Sequence, residues 1–255
     1  MIELNSHEVY ELLELLKKAG ISPEEALDIL NSQLTSQLGF ARVDTGRGVR
    51  AVLPEIVLAS GKDFEEVRAV TENLFSRAGL AIVSRVEVEL GEYLRKAFPD
   101  GSYHERAHIY TLGSNETEYR ENEGSVAVVS AGTSDLHAAE ESAVILETMN
   151  VDVNRFYDIG VAGIHRLGHI LPDLRTNSVC IVCAGMDAAL PTVIGGLYKG
   201  PIVAVPTSTG YGTAFKGVTA LLSMLNSCSP GICVMNIDNG LGAAAAALRI
   251  LRGNY

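Results

Sequence analysis

Apolar residues recur at two different periods along this chain, and the change falls near residue 124. Upstream, the spacing is mostly helical. Leu12, Leu13, Leu15 and Leu16 make a broad stripe that predicts a helix over 7–18. Ser22, with Pro23 in the first turn and Glu25 three residues on, closes a capping box for a second helix. Leu27, Leu30, Leu34 and Leu38 line one face of that helix, which ends at Gly39. A short apolar run over 55–59 predicts a strand. Asp63 and Glu66 repeat the capping signature before a helix reaching Arg77, and a strand over 80–85, a helix over 89–98 and a strand over 107–112 follow. The pattern predicts a small helical segment and then a minor α+β or α/β region, with the junction in 101–123.

Downstream, charge-free apolar runs alternate with helical spacing. Strands are predicted at 126–130, 154–159, 178–184, 202–206 and 232–236. Helices are predicted at 135–149, 163–171, 188–198, 215–225 and 241–251. Strands bare of charge and separated by helices make an α/β fold, a parallel sheet covered on both faces. In such sheets ligands bind beyond the carboxyl ends of the strands. Those ends read SAGTSD, DIGVAGIH, CAGMDAALP, VPTSTGYG and NIDNG, all polar or rich in glycine.

Composition sharpens this division into 1–123 and 124–255. The first zone carries 22 acidic and 13 basic side chains, whereas the second holds 16 of the 25 glycines and all four cysteines. Tight turns and close approaches of backbone to ligand are therefore expected in the second zone. A net charge of -11 argues against a duplex nucleic-acid partner but leaves room for a small phosphorylated ligand held by backbone N–H groups. The acidic amphipathic N-terminus is not a signal peptide, and the apolar runs are far too short to span a membrane. Four cysteines in a chain this long do not read as a secreted disulfide framework, so a reducing cytoplasm is the expected setting.

Candidate chemistry concentrates in the strand-end turns. Thr133 and Ser134 open a helix where an anion is stabilised. Asp135 beside them could orient a ribose, act as a base or simply sit in the first turn of the helix. Ser208, Thr209, Gly210, Tyr211 and Gly212 could converge on a phosphate or carboxylate, with Lys216 or Tyr211 closing over it. His165 could move a proton and Arg166 could grip an anion bidentately; ordinary helix-surface roles are equally open, and His137 and His169 are weaker candidates. Asp187 and Asp238 lie at strand ends, each open to a role as base, magnesium ligand, ribose acceptor or helix cap, with Asn239 beside the latter. Cys228 follows a helix and would need a positive partner to become a nucleophile. Cys180 and Cys183 mimic a metal pair but lie in one strand, where their spacing sends them to opposite faces. They read as core, as does Cys233, and a structural zinc is not expected.

The ordered motifs GTSDLHAAEES, GVAGIHRL, GMDAALPTVIGGL, VPTSTGYG, LNSCS and NIDNGLGAA resemble the LarB family, the pyridinium-3,5-biscarboxylic acid mononucleotide synthases of nickel-pincer cofactor synthesis. The second half is more distantly similar to PurE, the aminoimidazole ribonucleotide carboxylase. The likeness is dense over about 124–245 and fainter at ARVDTGRGVRAVLPEIVLASGK. It implies a flavodoxin-like parallel core, PurE-like packing into homo-octamers, and conversion of nicotinic acid adenine dinucleotide and CO2 (or bicarbonate) into the biscarboxylated mononucleotide with release of AMP. It maps the ring-attacking cysteine to Cys228, and Ser134 and Asp135 to the ribose phosphate. Asp187, His165 or Asp135 would then take the ring proton. Mg2+ could shield the phosphoanhydride, and no organic prosthetic group is expected. The alternatives are a PurE-like purine carboxylase or mutase, and a nucleotide-binding module without catalysis.

Overall fold

A computed structural model describes residues 35–114 and 124–253, together with Lys18 and Ser22. The helix expected over 7–18 and most of the next one lie outside the described residues. The chain divides into two compact units, which share the described residues as 35–103 with 110–114 and 104–109 with 124–253.

The first unit opens with a short antiparallel hairpin, β1 (Ser36–Gln37) and β2 (Arg42–Val43). Its turn contains Leu38 and Gly39, so Leu38 does not belong to a helix as its spacing suggested. Gly39 has φ +80, a conformation that suits a tight reversal between strands. A helical turn, α1 (Arg47–Arg50), leads to a four-stranded sheet in the order β3-β4-β6-β5. Its strands are β3 (Ile56–Leu58), β4 (Leu80–Ser84), β5 (Ser102–His104) and β6 (Ile109–Gly113). Helix α2 (Phe64–Ala78) crosses from β3 to its parallel neighbour β4, and α3 (Val88–Ala97) follows β4. The Asp63 carboxylate caps the Glu66 amide at 2.8 Å while Glu66 reaches back to the Asp63 amide at 3.1 Å, completing the predicted capping box. Val67, Val70 and Leu74 of α2 pack on Ala81 and Val83 of β4, giving this unit its own core.

The second unit carries the parallel sheet. Its strands are β7 (Ser125–Ser130), β8 (Asp152–Phe156), β9 (Val179–Ala184), β10 (Ile202–Pro206) and β11 (Ile232–Val234), in the order β11-β10-β9-β7-β8. Every pairing is parallel. Helices α4 (Leu136–Thr148) and α8 (Gly240–Arg252) cover one face. Helices α5 (Ile164–Leu174), α6 (Leu190–Gly195) and α7 (Val218–Leu225) cover the other. The alternation of apolar runs predicted all five strands. Alternate β9 residues explain why: Cys180, Val182 and Ala184 join the core beneath α5, α6 and α7, while Ile181 and Cys183 face the other layer, and all five are buried.

Among the departures from the sequence pattern are the start of one helix and the burial of one cysteine. Helix α7 begins at Val218 rather than Phe215, because Phe215, Lys216 and Gly217 all take left-handed backbone. Cys233 is exposed rather than core. It lies in the edge strand β11, next to Ile232 and Val234, which pack on the covered face; its own face projects past the helical layer.

Candidate active site

Strand β7 has β8 on one side and β9 on the other, so the sheet changes direction of winding between β7 and β9. A crevice is expected at the carboxyl ends of these two strands. Four of the five strand-end turns meet there through hydrogen bonds centred on Thr207, Ser208 and Thr209, which follow β10. The Thr207 amide donates to Ala184 O at 3.0 Å, and its hydroxyl donates to Asp135 Oδ1 at 2.5 Å. The Ser208 amide donates to Asp238 Oδ1 at 2.8 Å. The Thr209 hydroxyl donates to Ser134 O at 3.1 Å, and Thr209 O accepts from the Met186 amide at 3.0 Å. Gly185 makes this approach possible, since a Cβ there would lie 2.6 Å from Thr207 Oγ1.

The fifth turn, after β8, is built differently. Buried Ser130 accepts the Asp158 amide at 3.1 Å on its hydroxyl and the Ile159 amide at 2.9 Å on its carbonyl. Asp158 then accepts from Arg166 Nη1 at 2.6 Å. The guanidinium lies over Gly163, where a Cβ would sit 2.6 Å from Arg166 Nε.

Backbone strain marks the same edge of the sheet. Asp158 (φ 57), Met186 (φ 51), Ala188 (φ 50), Phe215 (φ 44), Lys216 (φ 51) and Asp238 (φ 54) are non-glycine residues in left-handed conformation, and all lie in turns after parallel strands. Such conformations cost of order 1–3 kcal/mol each and persist where the surroundings over-determine them. These are six of the nine such non-glycine residues among the described residues; Arg85, His108 and Asn150 lie elsewhere.

Charge at the site is paired. Asp135 is buried, with Oδ2 accepting the Gly132 amide at 2.8 Å and Oδ1 taking Thr207. His137 Nε2 lies 3.0 Å from Asp238 Oδ1. Burial alone would raise the Asp238 carboxyl, but hydrogen bonds from His137 and Ser208 prevail and hold it down at about 2. The same bond to Asp238 raises His137 against the opposing effect of burial. Burial pushes the Cys180 and Cys183 thiols far up, consistent with inert core residues.

Of the residues singled out by sequence, Thr133, Ser134, Asp135, Ser208, Thr209, Gly210, Asp187, Asp238 and Asn239 lie in the turns at this edge. Asn239 also caps α8, its Oδ1 accepting the Gly242 amide at 2.8 Å. Asp187 is exposed and accepts the Ser223 hydroxyl on its carbonyl at 2.6 Å. Tyr211, Gly212, Lys216 and His165 are exposed, and Arg166 is held by Asp158.

Cys228 is elsewhere. It is exposed and precedes β11, so it stands at the end of the sheet where the strands begin. Its neighbour Ser227 pairs with Thr192 of α6 at 2.7 Å, and Ser229 lies against Gly195, the last residue of that helix. The hydrogen bonds of the neighbouring Ser227 run to Thr192 of α6 and to the Ser229 amide rather than to the Thr207–Thr209 turn. Sequence reasoning missed Ser130, Asp158 and Thr207 and undervalued His137. Ser130 and Thr207 each close an apolar run, in VVSAG and VPTST, and that position was the available signal.

Among the described residues no group of three or more His, Cys, Asp or Glu side chains is placed to hold a metal ion. Asp238 Oδ1 already accepts two hydrogen bonds, from His137 and from the Ser208 amide. No helix among them is long and apolar enough to cross a membrane.

The fold and its crevice define a PurE-like, flavodoxin-like α/β domain of the carboxylase and mutase class. Residues 125–255 match the AIR carboxylase family, and residues 35–114 match the LarB/PurE-like N-terminal domain. The chain belongs to the LarB family, with a PurE-like C-terminal domain. It is 40% identical over 213 residues to the uncharacterized protein MJ0165 of Methanocaldococcus jannaschii, covering 81% of this chain and 82% of that protein. It is also 34% identical over 131 residues to the N5-carboxyaminoimidazole ribonucleotide mutase of the same organism, covering 49% of this chain and 78% of the mutase.

Proposed function

We propose that this protein carboxylates the pyridinium ring of nicotinic acid adenine dinucleotide at C5 and cleaves its phosphoanhydride, releasing pyridinium-3,5-biscarboxylic acid mononucleotide and AMP. The observation that carries the reading is the meeting of the Ser134, Met186, Thr207–Thr209 and Asp238 turns at the switch point of a chain that matches both LarB-type domains. The amides of Thr207, Ser208 and Met186 are already bonded within the protein, so a ribose phosphate would be met by the backbone of the Thr133–Ser134 and Thr209–Gly210 segments of the same turns.

The ring chemistry needs a nucleophile, because an intact pyridinium cation will not attack CO2. The Cys228 thiolate adds to C4, leaving an enamine nucleophilic at C5. C5 then bonds to CO2, a base removes the C5 proton, and expulsion of the thiolate from C4 restores the aromatic cation and the free cysteine. Asp187 and His165 are the exposed candidates for that base. Asp135, with both oxygens engaged by Gly132 and Thr207, is suited to holding the turn. Hydrolysis of the phosphoanhydride is a separate step that consumes water.

Because Cys228 stands at the far end of its own sheet, the reading requires a second copy to present the thiol, in a homo-oligomer such as the PurE-like octamer. Val218, Leu222 and Leu225 of α7, just ahead of Cys228, are exposed at 42%, 59% and 64%, an apolar stripe suited to such a contact. Incubation with the dinucleotide and 13C-bicarbonate, followed by mass spectrometry, tests the reaction. Labelled biscarboxylated mononucleotide with equimolar AMP is the expected result. Turnover of N5-carboxyaminoimidazole ribonucleotide instead would replace the reading with a purine mutase, and ligand binding without turnover would make the protein a binding module.

A further inference from the structure

His137 and Asp238 come from opposite ends of the second unit's sequence and meet over the turn that the proposed function assigns to phosphate. Asp238 Oδ1 accepts from two donors at once, His137 Nε2 at 3.0 Å and the Ser208 amide at 2.8 Å. The Ser134 backbone also stabilises the charged His137 ring, and the Ser134 carbonyl accepts the Thr209 hydroxyl at 3.1 Å. The imidazolium carries two N–H donors, one of which meets Asp238; the neutral ring keeps only one and loses the charge that strengthens this bond. The side chains are 29% and 21% exposed for His137 and Asp238, so solvent competes only partly for these bonds.

We propose that His137 and Asp238 form a proton-operated clasp that positions the Ser208–Thr209 turn for an anionic ligand, and that the clasp loosens when His137 gives up its proton to water. Both are positioning residues: they act through the Ser208 amide and the Ser134 carbonyl.

The charged groups acting on the imidazole are few. Asp238 approaches from the turn after β11, and Glu141 lies one turn further along α4. Glu141 is buried and its Oε2 accepts the Leu241 amide of α8 at 3.1 Å. Asp135 is turned to Gly132 and Thr207. From β8, Arg155 is engaged by Glu140 and Glu147 of α4. Both carboxylates near the ring favour the imidazolium, so the closed clasp belongs to the lower side of the His137 titration. It opens as pH rises through a midpoint above that of free histidine.

The clasp itself is independent of the ligand's identity and is testable on the full chain without one; only its effect on affinity rests on the proposed function. Histidine-selective NMR should place the His137 midpoint above that of free histidine, and Asp238→Asn should lower it. Protection of the Ser208 amide, its exchange rate taken relative to the intrinsic rate at each pH, should fall about tenfold across that midpoint, corresponding to loss of one charge-assisted hydrogen bond, and His137→Gln should make that protection low and independent of pH. An ordinary midpoint, or Ser208 exchange that ignores His137→Gln, overturns the clasp. In a second arm, calorimetry with nicotinic acid adenine dinucleotide on both sides of the midpoint should show about a tenfold weaker Kd at the higher pH, abolished by His137→Gln. Equal Kd values in the wild-type protein would also overturn the positioning role. No binding at any pH would refute the dinucleotide reading and leave the clasp to be decided by the NMR arm.

Discussion

Thr207 and Asp135 are joined by a 2.5 Å hydrogen bond that links the end of β10 to the turn after β7. Both residues are buried, and the Asp135 carboxylate is completed by the Gly132 amide. Replacing Thr207 with Val keeps the shape but leaves Asp135 one donor short. The expected loss is about 1–3 kcal/mol of stability, the cost of an unsatisfied buried acceptor, read from urea denaturation. An unchanged midpoint would show that water replaces the hydroxyl.

Cys228 and the strand-end turns should complement each other between chains. Cys228→Ser is expected to abolish ring carboxylation while leaving stability within about 0.5 kcal/mol, since the side chain is exposed. Mixed with a variant inactivated in the strand-end turns but keeping Cys228, under conditions that exchange subunits, it should recover activity that neither variant has alone. Failure to recover, with exchange verified, would mean that thiol and turn meet within one chain.

Acid should release Asp238 before it unfolds the rest of the sheet. The folded carboxyl is held at about 2 against an ordinary value of 3.8. A depressed carboxyl stabilises the fold above its unfolded value and loses that contribution as pH falls through the folded one, so the loss runs from roughly pH 4 to 2. His137 is raised and behaves oppositely, its contribution being full at low pH and lost as pH rises past the folded midpoint. Asp238→Asn should flatten the acid limb of a plot of stability against pH. An unaltered acid limb would assign that limb to other carboxylates.

Gly217 has φ +94, and a Cβ there would lie 2.8 Å from the Thr207 carbonyl oxygen. Gly217→Ala should cost about 1–3 kcal/mol, combining left-handed strain with displacement of the Thr207 turn. Anionic ligand binding should weaken beyond what the stability loss explains, as judged by calorimetry well below the melting temperature.

The second unit was legible because buried parallel strands leave unmistakable apolar runs and their carboxyl-end turns declare themselves in glycine and hydroxyl residues. In the first unit, β5 was missed: Ser102, Tyr103 and His104 form a short, polar edge strand inside a stretch whose composition reads as a junction. Leu38 fitted a helical stripe, yet two residues on either side of its turn were enough for strand pairing. Cys233 has an apolar pattern that marks a strand without saying that the strand lies at an edge. Site chemistry was harder still. Asp158, Thr207 and His137 gain their meaning from partners 8 to 101 residues away in sequence, which spacing cannot reveal.

The placement of Cys228 at the starting end of the strands has a kinetic corollary. A solitary chain would hold a dinucleotide without being able to strike its ring, so turnover per chain should fall with dilution once assemblies come apart, even while every site remains filled.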